Sequence, residues 1–99
     1  MVKTSFYSMV RNNGKNVAVL KTGYSDGTYY YYKSDVGRHW WAIHPLCGQC
    51  VTSGKTLKEA ATAAHAPAIS DKVHQAMKLQ GEAMTKLYHA AIAELKDNN

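Results

Sequence analysis

The chain of 99 residues is poor in the residue types that mark several functional classes. It has two prolines, two cysteines and seven acidic residues, against twelve lysines and arginines. The few carboxylates are scattered, so no pair is placed for general acid–base catalysis. No glycine-rich phosphate loop or nucleophile motif occurs, and no apolar run approaches the roughly 20 residues that a membrane-spanning helix needs. We therefore expect a single domain over residues 1–99 that is not an enzyme and needs no cofactor.

The two cysteines, Cys47 and Cys50, are too few for a disulfide framework. Met1–Phe6 also contains no apolar signal-peptide core, and we expect a cytoplasmic protein with reduced thiols. The spacing Cys-Gly-Gln-Cys matches a redox pair. A redox cysteine, however, gains its low pKa from a helix that starts directly after it, whereas Val51–Gly54 indicates a strand and a turn.

A zinc site is the other chemistry that this region suggests. His39, His44, Cys47 and Cys50 lie within twelve residues. On a continuous strand, His39 and His44 point to opposite faces, so the four side chains do not converge on one metal ion. A site that adds a helix histidine to the last three stays open, and the candidates are His65, His74 and His89. We expect no bound zinc.

Positive charge is concentrated in the first part of the chain. Residues 1–58 hold eight lysines and arginines but two aspartates, whereas residues 59–99 are close to neutral. Such a distribution is typical of a solvated surface or of an electrostatic footprint for an acidic partner, either nucleic acid or protein.

The order of elements predicts an α+β fold, an antiparallel meander of four to five strands followed by a short and a long helix. Asn-Gly and Asp-Gly turns and Pro45 separate short segments of high strand preference. These connections are short, which favours pairing between consecutive strands. The sheet is predicted over residues 5–53, with strands at Ser5–Arg11, Val17–Tyr24, Thr28–Lys33, His39–His44 and Gln49–Ser53.

Helices are predicted over about 57–65 and 70–96. Thr56 and Glu59 form a capping box, and Ser70 is the expected N-cap of the second helix. That helix would be roughly 37 Å long, whereas strands of about five or six residues span only about 20 Å. Either it breaks at Gly81, or its far half forms a homodimer through Met77, Met84, Leu87, Tyr88, Ala91 and Leu95.

Four successive tyrosines are the strongest sign of a binding surface. Tyr29 and Tyr31 face one side of the sheet, and Tyr30 and Tyr32 face the other. A small chain does not cover both faces easily, so one pair is expected to be exposed beside cations. Exposed aromatic and basic residues suit base stacking and protein hot spots alike. The candidate binding residues are Lys21, Tyr29, Tyr30, Tyr31, Tyr32, Lys33, Arg38 and Trp40.

Residues 28–64 resemble the core of the HicB-type antitoxins. The matching positions are Tyr29 to Tyr32, Pro45, Cys50, Val51, Thr52, Gly54, Thr56, Leu57, Glu59 and Ala60. The resemblance implies a three-stranded antiparallel sheet with a helix on one face, and a small ribonuclease toxin as partner. Leu46 stands where the family has an acidic residue, and a long helix replaces its DNA-binding domain.

The same stretch is similar to AP2-like and integrase arm-type DNA-binding domains. Three strands precede a pattern formed by Gly54, Thr56, Glu59, Ala60 and Ala61. This second resemblance implies DNA binding by the sheet. We expect a small non-enzymatic binding protein that regulates or inhibits a macromolecular partner, in the manner of an antitoxin or a phage-borne or mobile-element inhibitor. The alternative is a nucleic-acid-binding domain that uses a basic, tyrosine-rich sheet face.

Overall fold

The computed structural model describes residues 1–34 and 37–97, and it has the predicted α+β architecture. A five-stranded antiparallel sheet with the strand order β1-β2-β3-β4-β5 is followed by two helices. The elements are β1 Val2–Asn12, β2 Lys15–Ser25, β3 Tyr30–Lys33, β4 Trp40–Ile43, β5 Cys50–Gly54, α1 Leu57–His65 and α2 Pro67–Asp97.

The β1–β2 hairpin is longer than predicted, with eleven residues in each strand. Asn13 and Gly14 both have positive φ, 52° and 79°, as a two-residue hairpin turn requires. This turn fixes the register from Asn12↔Lys15 to Val2↔Ser25, so pairing continues through polar residues that a hydrophobic pattern does not mark. Each strand spans roughly 37 Å at about 3.4 Å per residue, the same length as most of α2.

The Asp26 turn shortens the third predicted strand. Asp26 Oδ1 accepts hydrogen bonds from the N–H groups of Thr28 and Tyr29, each at 2.9 Å. Thr28 and Tyr29 therefore belong to the turn, and β3 starts at Tyr30. This side-chain capping is the usual way in which aspartate competes with regular structure.

Helix α1 covers one face of the sheet. Ala60 and Ala64 are fully buried against Tyr31 and Ala42, and their small side chains let the helix lie close to the strands. The N–H of Glu59 donates to Thr56 Oγ1 at 3.1 Å, as the capping box predicts. The Glu59 carboxylate, however, accepts from the N–H of Lys55 at 3.0 Å and not from that of Thr56.

The β1–β2 hairpin curls over the opposite face of the sheet. The ring of Phe6 in β1 stacks on Tyr30 in β3 at 4.6 Å, although β2 separates these strands in the sheet. Gly23 permits the bend, because a Cβ at this position would lie on the carbonyl oxygen of Tyr31. Phe6 is consequently only 5% exposed.

Helix α2 begins at Pro67 and is continuous through Gly81. The predicted N-cap at Ser70 is wrong, since the N–H of Ser70 donates to Ala66 O inside the first turn. Proline suits the first helical position because its missing N–H has no partner there. At Gly81 the side chain of Met77 lies across the space that a Cβ would fill, with Cε 3.1 Å from it.

The C-terminal half of α2 packs on the β1–β2 hairpin. Tyr88 is buried with Met9 and Ala18, and its hydroxyl donates to Tyr7 O at 2.7 Å. The predicted mismatch between a long helix and short strands was therefore wrong, because the hairpin strands are twice the assumed length. A hydrogen bond from the N–H of Met9 to Gly48 O at 2.8 Å ties the hairpin to the β4–β5 turn.

Candidate binding surface

The tyrosine run alternates between the two faces as predicted, but the pairs have different environments. Tyr29 and Tyr31 lie under α1 and are 6% and 0% exposed. Their inclusion among the binding residues is therefore corrected: the small alanines of α1 cover them. Tyr30 and Tyr32 face the curled hairpin and are half-buried.

Asp26 is the centre of a polar cluster that the sequence pattern did not single out. Its Oδ2 accepts from the Tyr31 hydroxyl at 2.6 Å and contacts His65 Nε2 at 2.8 Å. Burial opposes ionisation of Asp26, but the hydrogen bonds from Tyr29, Tyr31, His65 and Thr28 outweigh it and hold its pKa well below its usual value. Sequence reasoning saw in Asp26-Gly27 only a turn.

The same cluster makes Tyr31 a poor acid. Burial, and then its hydrogen bond to the Asp26 carboxylate, raises the pKa of Tyr31 far above its ordinary value. Burial and the charge of Asp26 also raise the pKa of Tyr29. Both phenols therefore stay protonated, and the cluster anchors the β2–β3 turn to the end of α1.

The ring faces of the second tyrosine pair are engaged within the chain. Tyr30 is stacked on Phe6 with an interplanar angle of 5°. The ammonium of Lys21 lies 5.0 Å from the ring centre of Tyr32, a cation–π contact, and Phe6 approaches the same ring at 6.0 Å. A nucleic-acid base that stacked on either ring would have to compete with these contacts.

Strand register gathers five of the predicted residues at one end of the sheet. Lys33 is paired with Trp40, and Tyr32 with Trp41. Arg38 is exposed in the β3–β4 loop, whose ends are joined by a hydrogen bond from the N–H of Ser34 to His39 O at 2.8 Å. We call this surface the basic sheet end, and it consists of Lys21, Tyr32, Lys33, Arg38 and Trp40.

Trp40 lies at the centre of the basic sheet end. It is half-buried, packs against the α1 cluster, and its ring is 6.1 Å from that of Tyr24. On its other side Trp40 is paired with Gly54, so Lys55 follows one residue beyond. A large aromatic ring held in place and surrounded by cations is an arrangement common at the centre of protein interfaces.

The cysteine and histidine region shows no metal-binding arrangement. Within residues 1–34 and 37–97, no three His, Cys, Asp or Glu side chains are grouped so that they could hold a metal ion. Cys47 is buried, Cys50 is exposed, and both thiols are free. Burial raises the pKa of both thiols, so they are less reactive than an isolated cysteine.

The residues predicted for a dimer interface differ in their exposure. Tyr88 is 6% exposed and lies inside the chain, so it is corrected from an interface residue to a core residue. Leu87 is 44% exposed on the neighbouring position of the helix. The remaining four, Met77, Met84, Ala91 and Leu95, are partly buried.

Among the described residues, no helix is long and apolar enough to cross a membrane. Comparison with protein-family models, with curated proteins and with solved structures finds no match to this chain.

Proposed function

We propose that the protein is a small non-enzymatic binding protein, and that the basic sheet end binds and thereby regulates or inhibits an acidic macromolecular partner. The observation that carries this proposal is the register Lys33↔Trp40↔Gly54, which places cations around a fixed tryptophan. Tryptophan and arginine are the residue types most often found at interface hot spots.

The contacts of the tyrosines favour a protein as the partner. Sequence-tolerant binding of single strands depends on aromatic faces that are open to bases. Tyr30 is stacked on Phe6, and Tyr32 carries Lys21 over its ring. Cations and Trp40 remain for contact with carboxylates and apolar groups, which a folded protein supplies. Nucleic-acid binding by the same surface is the alternative outcome.

The polar cluster supports a non-enzymatic function. Asp26 is held as an acceptor by four donors, and the Tyr31 hydroxyl is committed to it. General acid–base catalysis requires a group whose pKa lies near the working pH, whereas the pKa shifts of these two groups move them away from neutrality.

The setting of the function is proposed from the same features. A basic one-domain chain with two unpaired thiols suits a reducing compartment such as the cytoplasm, and binding without catalysis suits an antitoxin or an inhibitor of a nuclease effector. A homodimer through the exposed face of α2 around Leu87 belongs to this proposal.

A capture experiment tests the proposal. The tagged chain is used to capture partners from an extract of cells that encode it, with and without nuclease. We expect one protein partner that survives nuclease treatment and is lost with the double variant Lys33→Glu/Arg38→Glu. The control Lys78→Glu/Lys96→Glu makes the same change in charge at exposed sites on α2 and should retain the partner. Loss of the partner on nuclease treatment would contradict the proposal.

A further inference from the structure

Strand β5 is the outer strand of the sheet and has one open edge. It pairs with β4 alone, and no described backbone group of another element bonds to Thr52 or Ser53. The strand is also incompletely covered by side chains, with Cys50 and Ser53 exposed. An open edge presents unpaired N–H and C=O groups that can bond to an added strand.

An apolar groove borders the first half of this edge. It has a volume of about 220 Å³ and lies between β5 and the N-terminal half of α2. The pairs Ala42↔Thr52 and Ile43↔Cys50 leave Val51 without a partner on β4, so β5 is bulged where it meets the groove. The apolar and thiol side chains in the lining are Cys50, Val51, Ile69, Val73, Met77 and Met84.

Cations lie along the edge and the groove. Lys72 lines the groove, Lys55 directly follows β5, and Lys58 is in the first turn of α1, all of them exposed. The nearest acidic group in sequence, the Glu59 carboxylate, already accepts from the N–H of Lys55. The charge of this surface therefore complements a negatively charged segment.

We propose that the β5 edge binds an extended segment of a partner protein in which acidic and apolar residues alternate. The segment would add a sixth strand beside β5. One apolar side chain would enter the groove, and acidic side chains would lie near the lysines. In this mode, main-chain hydrogen bonds supply affinity, and a pocket for alternate side chains supplies specificity. The surface is separate from the basic sheet end, and the proposal does not depend on that function.

Synthetic peptides of alternating leucine and glutamate serve as the probe, and a peptide with the same residues in two blocks is the control. Backbone amide NMR spectra and hydrogen exchange are recorded on the full chain. We expect saturable binding of the alternating peptide, with shifts at residues 49–54 and slower exchange of an outward-facing amide at Thr52 or Ser53. Equal binding of the block peptide would overturn the proposal.

N-methylation of the peptide tests strand addition directly. Only every second N–H of an added strand points toward its neighbour, so methylation of one alternate set should weaken binding by about tenfold while methylation of the other set is tolerated. Tolerance of both sets would overturn the proposal.

Two charge reversals on α2 locate the site. Lys72→Glu should weaken binding severalfold, and Lys78→Glu, an exposed site outside the groove, should not. Equal effects of the two substitutions would contradict a site at the groove. Protection of the β5 amides that grows with protein concentration, without peptide, would identify a second copy of the chain as the occupant and would overturn the proposed partner.

Discussion

Asp26 links local turn chemistry to the stability of the whole chain. It accepts hydrogen bonds from two backbone N–H groups, from the Tyr31 hydroxyl and from His65, which lies 39 residues further along the chain. Since its pKa is lowered on folding, the carboxylate form stabilises the folded state.

Asp26→Asn should lower the free energy of unfolding at neutral pH by about 2 kcal/mol, because the charged acceptor is lost. The contribution of Asp26 is complete above its unfolded pKa of about 3.9 and is lost as pH falls below that value toward its lowered folded pKa. Urea unfolding across this range should therefore show a steeper acid loss for the wild type than for Asp26→Asn. The control Asp71→Asn, at an exposed position on α2, should keep the wild-type slope.

Gly48→Ala should be strongly destabilising, by about 3 kcal/mol, for two reasons. Gly48 has φ +68°, and an added Cβ would collide with the ring of Tyr88. Gly27→Ala is the matched control, because Gly27 has φ +91° but nothing lies within 4 Å of its added Cβ. Thermal unfolding of both variants separates crowding from backbone strain. Equal losses would show that Tyr88 does not pack against the β4–β5 turn.

At the scale of elements, α2 makes a continuous helix where sequence reasoning left a break open. Gly81→Ala should stabilise the chain by up to about 1 kcal/mol, because alanine has the higher helix propensity and the contacting Met77 Cε is the mobile end of its side chain. Thermal unfolding followed by circular dichroism measures the effect. A clear destabilisation would mean that the helix does not run straight through Gly81.

The order and type of the elements could be predicted because each has a local cause. Asn13-Gly14 specifies the first hairpin, Pro67 and the Thr56 cap mark the helices, and the tyrosine run has strand preference. The curl of the hairpin could not be predicted, because it depends on the close approach of Gly23 to Tyr31, two residues in different strands.

The candidate surface was predicted in part for the same reason. Strand alternation separated Tyr29 and Tyr31 from Tyr30 and Tyr32, but which pair α1 would cover depends on tertiary packing. Lys33, Arg38 and Trp40 meet because of the register between β3 and β4. The long-range contact between Asp26 and His65 carries no local signal, so no pattern in the sequence indicates it.

At the scale of the whole molecule, the hairpin covers Tyr88 and leaves Leu87 exposed. A homodimer through α2 stays a prediction, in which Leu87 would be buried against a second copy. Light scattering should give twice the chain mass of 11.0 kDa, and Leu87→Glu should return it to that of one chain. The mass of a single chain at high concentration would contradict the dimer.

The central claim is that the basic sheet end binds a protein and does not stack nucleic-acid bases. Its most direct test is fluorescence anisotropy of the purified chain with single- and double-stranded DNA and RNA at low salt, for the wild type and for Tyr32→Ala. The account predicts that any binding is weak, falls steeply with salt and is the same for both proteins, as purely phosphate-driven attraction would be. Tight binding that Tyr32→Ala weakens by about 1–3 kcal/mol, the contribution of one stacked base, would contradict it.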